Sequence, residues 1–194
     1  MKKSSVDATV SNQQLEKELK RTVIKRKRRT AFLRTISTLL VLAAIFLIAT
    51  VTWFPVYRIT DNSMEPNLKQ GQIVIALRKQ NLKPGDIAAM YFENQILIKR
   101  VIGTAGDWIH MDEQGVVSVN DKPIDEKYLA GSALGTTDLA FPYQVPDGCY
   151  FAMGDNRAMS IDSRVSKIGC IADEKVAGKI IFCVWPLQYA GYIE

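Results

Sequence analysis

The sequence predicts a mostly β protein, with one antiparallel β-sheet or barrel-like domain behind a single N-terminal transmembrane helix. Three observations carry this. Residues 35–57, Thr35 to Tyr57, form a 23-residue run without a charged side chain. Beyond it, short apolar stretches alternate with turn residues at regular intervals. The excess positive charge is confined to the segment before the run.

Residues 1–34 carry 11 Lys or Arg against 3 acids, a balance of +8, while the remainder carries 14 basic and 17 acidic residues, a balance of −3. The overall +5 therefore belongs to a tail, and the folded part is mildly acidic. A basic tail abutting an apolar run is a membrane signature before it is a nucleic-acid one, so the lipid bilayer is an expected partner and nucleic acid is not. As a helix rising about 1.5 Å per residue, the run reaches roughly 34 Å, enough to cross a hydrocarbon core of about 30 Å. It ends in Val51-Thr52-Trp53-Phe54, unsuited to signal cleavage and suited to anchoring at the interface. No cysteine lies near it for lipid attachment, so the helix is expected to be retained. Lys25-Arg26-Lys27-Arg28-Arg29 and Arg34 precede the run, whereas only Arg58 and Lys69 follow it closely. The positive-inside rule then makes 1–34 a cytoplasmic tail, 35–57 a single span of the cell membrane, and 58–194 an extracytoplasmic domain.

Within 58–194 the expected strands are Ile73–Leu77, Ile87–Phe92, Ile96–Ile102, Cys149–Met153 and Val176–Trp185. Trp108–Met111 and Val116–Val119 flank Asp112-Glu113-Gln114-Gly115 and read as a hairpin. Residues 120–147 are rich in Gly, Pro, Asn and Asp and read as a peripheral loop excursion.

Several chemistries lack the residues they need. The single histidine, His110, sits in a predicted hairpin strand, and no GxSxG elbow exists for a Ser-His-Asp triad. There is no HExxH, Walker loop, GxGxxG or SxxK. Cys149, Cys170 and Cys183 are odd in number and without CxxC spacing, which argues for core cysteines and against a zinc ribbon or disulfide framework. Neither a metal nor a cofactor is expected.

What remains is a serine with a lysine. Ser63 lies in Asp61-Asn62-Ser63-Met64-Glu65-Pro66, just beyond the membrane exit. A serine hydroxyl is a weak nucleophile until a base takes its proton, and a lysine amine can do so once it is neutral. Burial among apolar groups disfavours the ammonium form. In Ile96-Leu97-Ile98-Lys99-Arg100-Val101-Ile102 the period of two puts Leu97 and Val101 on the face of Lys99. Such a lysine either snorkels to an edge or serves as a base. A third segment, Gly154-Asp155-Asn156-Arg157-Ala158-Met159-Ser160-Ile161-Asp162-Ser163-Arg164, follows a predicted strand and is dense in hydrogen-bonding groups. It reads either as a solvated loop or as a locked one that leaves a hydroxyl to orient the lysine.

Taken together and in this order, these segments resemble type I signal peptidases across residues 31–194. The likeness rests on Ser63-Met64-x-Pro66, on Lys99-Arg100-Val101-Ile102-Gly103-x-x-Gly106-Asp107, and on the last segment, which fixes eight of eleven positions. The resemblance implies a serine endopeptidase that removes signal peptides from secretory preproteins after small-x-small sites. It implies Ser63 as acyl-enzyme nucleophile and Lys99 as general base, with Ser160 hydrogen-bonding the amine and Asp162 and Arg164 stabilising the site. Met64 and Ile98 would help line shallow pockets for small substrate side chains. Lysine at position 99, where a histidine would resemble the endoplasmic reticulum branch, resembles the bacterial one.

One position departs from the pattern. Two residues before the nucleophile, many members of that family carry a small residue or a serine whose hydroxyl joins the oxyanion hole. Here it is Asp61, which offers no donor when ionised and would repel an oxyanion. The hole would rely on the Ser63 N–H and a second donor, with Asn62 a candidate; one missing donor can cost about 10²–10³ in rate. Two other classes share part of the pattern. A LexA-like Ser/Lys self-cleaving protease would carry a DNA-binding module where this chain has its span. A catalytically silent membrane-anchored binding protein is opposed by intact Ser63 and Lys99, and Asp61 keeps it open.

Overall fold

A computed structural model describes residues 3–78, 81–129 and 131–193, and it divides into two compact units, 1–49 and 50–194. The first unit is a single stretch of helix. Helix α1 spans Lys3–Trp53, so the basic segment and the apolar run are one continuous helix with no break between them. Leu39, Leu40, Val41, Leu42, Ile45, Phe46, Leu47 and Ile48 are all well exposed, on every side of the helix. An apolar belt of this size without a protein partner requires apolar surroundings, and Leu19–Trp53 is long and apolar enough to cross a membrane. The hydroxyls of Thr35 and Thr38 donate to the carbonyls of Ala31 and Arg34 at 3.1 and 2.9 Å, so they bring no unsatisfied donor into that belt. The apolar run continues to Tyr57, but the helix stops at Trp53. Pro55 disfavours helical geometry in the residue before it, and Val56–Arg58 is already strand.

The second unit is built of antiparallel strands: β1 (Val56–Arg58), β2 (Ile73–Leu77), β3 (Ile87–Phe92), β4 (Gln95–Thr104), β5 (Trp108–Met111), β6 (Val117–Val119), β7 (Lys122–Pro123), β8 (Tyr143–Gln144), β9 (Cys149–Met153), β10 (Ile171–Ala172), β11 (Val176–Trp185) and β12 (Gly191–Tyr192). The mostly antiparallel β fold expected from the spacing is present, and its strands divide between two sheets. The larger has the order β1-β2-β11-β3-β4-β9-β10, with β12 added beside β11; the smaller has the order β7-β6-β5-β8. The predicted hairpin is β5–β6, with Ile109 opposite Val119 and Met111 opposite Val117. Val116 belongs to its turn, because Asp112 Oδ1 accepts from the N–H groups of both Gln114 and Val116.

Ile102, Phe151 and Met153 from the larger sheet, Ile109 and Val117 from the smaller, and Val145 just after β8 form one buried cluster that joins them. A second cluster packs Ile59, Met64 and Leu68 against Val74, Ile87, Ile98 and Ile180. Strand β4 lies between β3 and β9, with Ile98 in the second cluster, Ile102 in the first and Val101 in a third beside Ala88 and Ala152. Every residue from Ile98 to Gly103 is therefore buried, and whatever side chain stands at position 99 is carried into the interior. Phe151, fully buried, meets the Phe141 and Tyr143 rings at centroid distances of 6.3 and 5.5 Å. Replacing it with alanine is expected to cost about 3–5 kcal/mol, read as a lowered urea midpoint for unfolding of the β unit.

Candidate active site

Ser63 lies on the turn-rich segment that leaves β1. The segment is fixed from below by Met64, whose side chain is buried in the core, and by the Leu68 N–H donating to the Met64 carbonyl at 2.9 Å. It is fixed from the side by the Asn156 N–H, which donates to the Ser63 carbonyl at 2.9 Å, and by Asn156 Nδ2, which donates to the Asn62 carbonyl at 3.3 Å. The serine hydroxyl is thereby delivered to β4. Lys99 stands there opposite Ala88 on β3, 2% exposed, and its Nζ donates to Ser63 Oγ at 2.6 Å. Burial pushes the Lys99 amine below the ordinary lysine range. The carboxylates of Asp61, Asp162 and Asp155 oppose that shift, and the Arg164 guanidinium reinforces it.

Around this pair lies a frame of buried charges. Arg164 donates to Asp162 through Nε at 2.8 Å and Nη2 at 2.9 Å, and neither side chain reaches solvent. Its remaining donors go to the carbonyls of Leu134, Arg157 and Ser160. Asp162 Oδ2 also accepts from the Gly154 N–H at 2.9 Å. Although burial alone would raise it, these contacts with Arg164 and Gly154 hold the Asp162 carboxyl below its usual range. Arg100 repeats the pattern on Asp155, with Nε at 2.9 Å and Nη2 at 2.8 Å, and it lies 4.2 Å from the Tyr128 ring centroid. Arg157 reaches Glu126, and Asn67 bridges Asp155 and the Tyr128 carbonyl. Bidentate pairing of this kind fixes planes as well as distances.

Gly154 sits where the frame touches the nucleophile loop. A Cβ there would come within 2.3 Å of Ser160 Oγ and 2.5 Å of the Ser63 carbonyl oxygen, so only glycine lets the two segments meet. Gly135, at φ +64°, is similar: its missing Cβ leaves room for the Arg157 carbonyl and the Arg164 guanidinium.

A cleft of about 400 Å³ opens beside Ser63, lined by Tyr57, Ile59, Asp61, Met64, Ile96 and Ile98. Its two walls are strand edges. β1 ends the larger sheet, and β9 pairs with β4 only from Arg100 onward, which leaves the edge from Gln95 to Lys99 open. That both line one cleft means the sheet curls back toward itself, the barrel-like feature expected from sequence.

The site residues inferred from sequence are largely gathered here, with one difference. Ser63, Lys99, Asp162 and Arg164 converge, and Met64 and Ile98 face the cleft. Ser160 is buried beside them, but it makes no bond to Lys99. Its Oγ approaches Asp162 without a hydrogen bond of ordinary length and angle, and has no such partner among the described residues. Sequence reasoning missed Glu126 and Tyr128, which lie in the excursion taken as peripheral and instead clamp Arg157 and Arg100. Their only signal was the presence of buried arginines needing partners. It also missed Asp61's contacts: Oδ1 accepts from the Ser63 N–H at 3.0 Å and from Ser63 Oγ at 2.7 Å. His110 lies in the smaller sheet, half-exposed, 3.3 Å from Asp121.

A family model described as "Signal peptidase, peptidase S26" matches residues 32–185. Signal peptidase I of Bacillus amyloliquefaciens is 32% identical over 146 residues, covering 70% of this chain and 78% of its own length. Signal peptidase I of Bacillus licheniformis is 34% identical over 149 residues, covering 70% and 78% respectively. Among solved structures, a signal peptidase I from Enterococcus faecalis V583 is 28% identical, covers 52% of this chain and 97% of its own, and has a TM-score of 0.43.

The Arg164–Asp162 pair has a measurable consequence. Arg164→Ala strands a carboxylate in the interior, which is expected to cost about 3–5 kcal/mol. Because the folded Asp162 carboxyl is held low, its contribution is complete above the ordinary carboxylate range and is lost as pH falls through the lowered value. Urea unfolding of the wild type and Arg164→Ala proteins should therefore differ most near neutral pH and converge on acidification.

Proposed function

The chain belongs to the signal peptidase, peptidase S26, family, and from that premise we propose how this serine peptidase removes signal peptides from preproteins. Ser63 is the nucleophile and Lys99 the general base. The observation that carries this is the 2.6 Å contact between a buried lysine amine and a buried serine hydroxyl, on a strand where burial lowers the amine's affinity for its proton.

In the reaction, the neutral Lys99 amine takes the Ser63 hydroxyl proton as Oγ attacks the scissile carbonyl carbon. The developing oxyanion is met by the Ser63 N–H. Collapse of the tetrahedral intermediate expels the amine of the mature protein, which receives the proton from Lys99, and leaves the signal peptide esterified to Oγ. Lys99 then deprotonates a water, which hydrolyses the ester and frees Ser63. Arg164, Asp162, Arg100 and Asp155 act by positioning, holding the loop of Gly154 against the Ser63 carbonyl.

The substrate lies extended in the cleft between β1 and the open edge of β4, where backbone pairing supplies affinity and side-chain pockets supply choice. Met64 and Ile98 wall these pockets closely, which favours small residues at the first and third positions before the bond. Helix α1 anchors the enzyme in the cell membrane, with the basic tail cytoplasmic and the β domain outside. The preprotein is tethered by its own signal peptide, so enzyme and substrate meet in two dimensions.

The mechanism is tested by following cleavage of a preprotein across pH. Wild-type activity should rise with pH through the lowered Lys99 value and Ser63→Ala should be inactive. Lys99→Arg keeps the charge but cannot become a base, so substantial turnover by folded Lys99→Arg protein would overturn the assignment. Specificity is tested with peptides. One with alanine at the first and third positions before the bond should be cut, and those with phenylalanine or lysine at either should resist. Equal cleavage of all would refute the pocket assignment.

A further inference from the structure

The contacts of Asp61 go further than the loss of an oxyanion donor. One carboxylate oxygen, Oδ1, lies 3.0 Å from the Ser63 nitrogen and 2.7 Å from Ser63 Oγ. An oxyanion-hole donor acts on an oxygen about 2.7–3.1 Å away, so Oδ1 sits where the carbonyl oxygen of an attacked peptide would accept from that N–H. The second contact is more telling. A turn closed by aspartate needs only the N–H two residues on, yet here the hydroxyl is bound as well. A serine hydroxyl has one proton and a carboxylate only accepts, so the Ser63 proton points at Asp61. Lys99 Nζ then occupies a lone pair of Oγ as donor, which is the reverse of what a base requires.

Resting on the assignment of Ser63 and Lys99, we propose that Asp61 is a gate on the nucleophile. Its carboxylate fills the carbonyl-oxygen site and holds the serine proton, and it must swing aside before a peptide can be attacked. Asp61 is exposed and sits at the rim of the substrate cleft, which Arg58 also lines. Rotation about its two side-chain torsions therefore moves the carboxylate into solvent without disturbing the core. Once it leaves, the Ser63 N–H is free for the substrate, and the hydroxyl can turn its proton toward Lys99. The gate also bears on the base. Lys99 faces the carboxylates of Asp61, Asp155 and Asp162 and the guanidinium of Arg164. Of these, Asp155 and Asp162 are paired with arginines, while Asp61 is the one that lies on the serine itself. Asp61 thus favours the protonated amine whenever the gate is closed.

The test uses the full chain in detergent micelles, cleaving a preprotein with alanine at the first and third positions before the bond. Wild type, Asp61→Gly, Asp61→Asn and Ser63→Ala are compared for kcat, KM and pH profile. With the gate removed in Asp61→Gly, KM should fall by the inverse of the open fraction, about tenfold if the carboxylate fills the site nine-tenths of the time. The rising limb of kcat/KM should move to lower pH by about one unit or more, because an opposite charge beside the amine is gone. Asp61→Asn separates the two effects: its limb should shift as far, while KM stays nearer wild type because the amide oxygen still occupies the site. A hundredfold loss in both folded variants would overturn the gate and make Asp61 the group that receives the serine proton. Unchanged KM and an unmoved limb would overturn it too, leaving Asp61 a turn residue. Activity in Ser63→Ala would instead remove the nucleophile assignment, and the gate with it.

Discussion

The burial of one lysine on a central strand constrains everything around it. An amine inside a sheet is costly as an ammonium ion, and Lys99 is almost wholly buried on β4, opposite Ala88 of β3. The cost falls on the proton, so the amine beside Ser63 holds it less tightly than an exposed lysine would. An exposed lysine at the same distance would keep its proton and could only orient the hydroxyl. The chemistry proposed here is therefore a consequence of where β4 lies, between β3 and β9 and above a core to which Met64 also belongs.

Holding the serine at hydrogen-bond distance from such a group requires rigidity on the other side, and the molecule obtains it from charge. Asp162 with Arg164 and Asp155 with Arg100 are two forked pairs buried within one stretch of chain and its neighbours, each completed by bonds to backbone carbonyls. Buried ion pairs contribute little net stability against a hydrophobic alternative. Their directional contribution is large, since the guanidinium forks fix the loop after β9 in plane and in register. The loop is then close enough to Ser63 that a single missing Cβ, at Gly154, decides whether the two segments fit. Apolar residues of the same volume would fill this space without setting that distance.

The helix obeys a different constraint. Its apolar belt is uncovered on every side, so it is at home only in a solvent of its own kind, and the hydroxyls of Thr35 and Thr38 are satisfied by carbonyls of the helix itself. An anchor of this sort restricts the enzyme to a surface. For substrates held in the same membrane, such a restriction would raise encounter frequency.

Much of this was legible in the order of residues. Short apolar runs bounded by turn residues marked the strands Ile73–Leu77, Ile87–Phe92, Cys149–Met153 and Val176–Trp185 at their observed limits, because a buried strand must be apolar and its turns must carry residues that permit them. Ser63, Lys99 and the segment from Gly154 to Arg164 could be singled out because each breaks that pattern in a way packing alone does not explain. Local order could not place Glu126 and Tyr128, which reach Arg157 and Arg100 from about thirty residues away through a loop with no periodicity. Nor could it reveal that Asp61 turns back onto the hydroxyl and N–H of Ser63, or that Ser160 stands apart from Lys99. Composition and period determine which side chains are buried and what each can do. Which donor meets which acceptor depends on distances between segments far apart in the chain, and only the tertiary structure sets those.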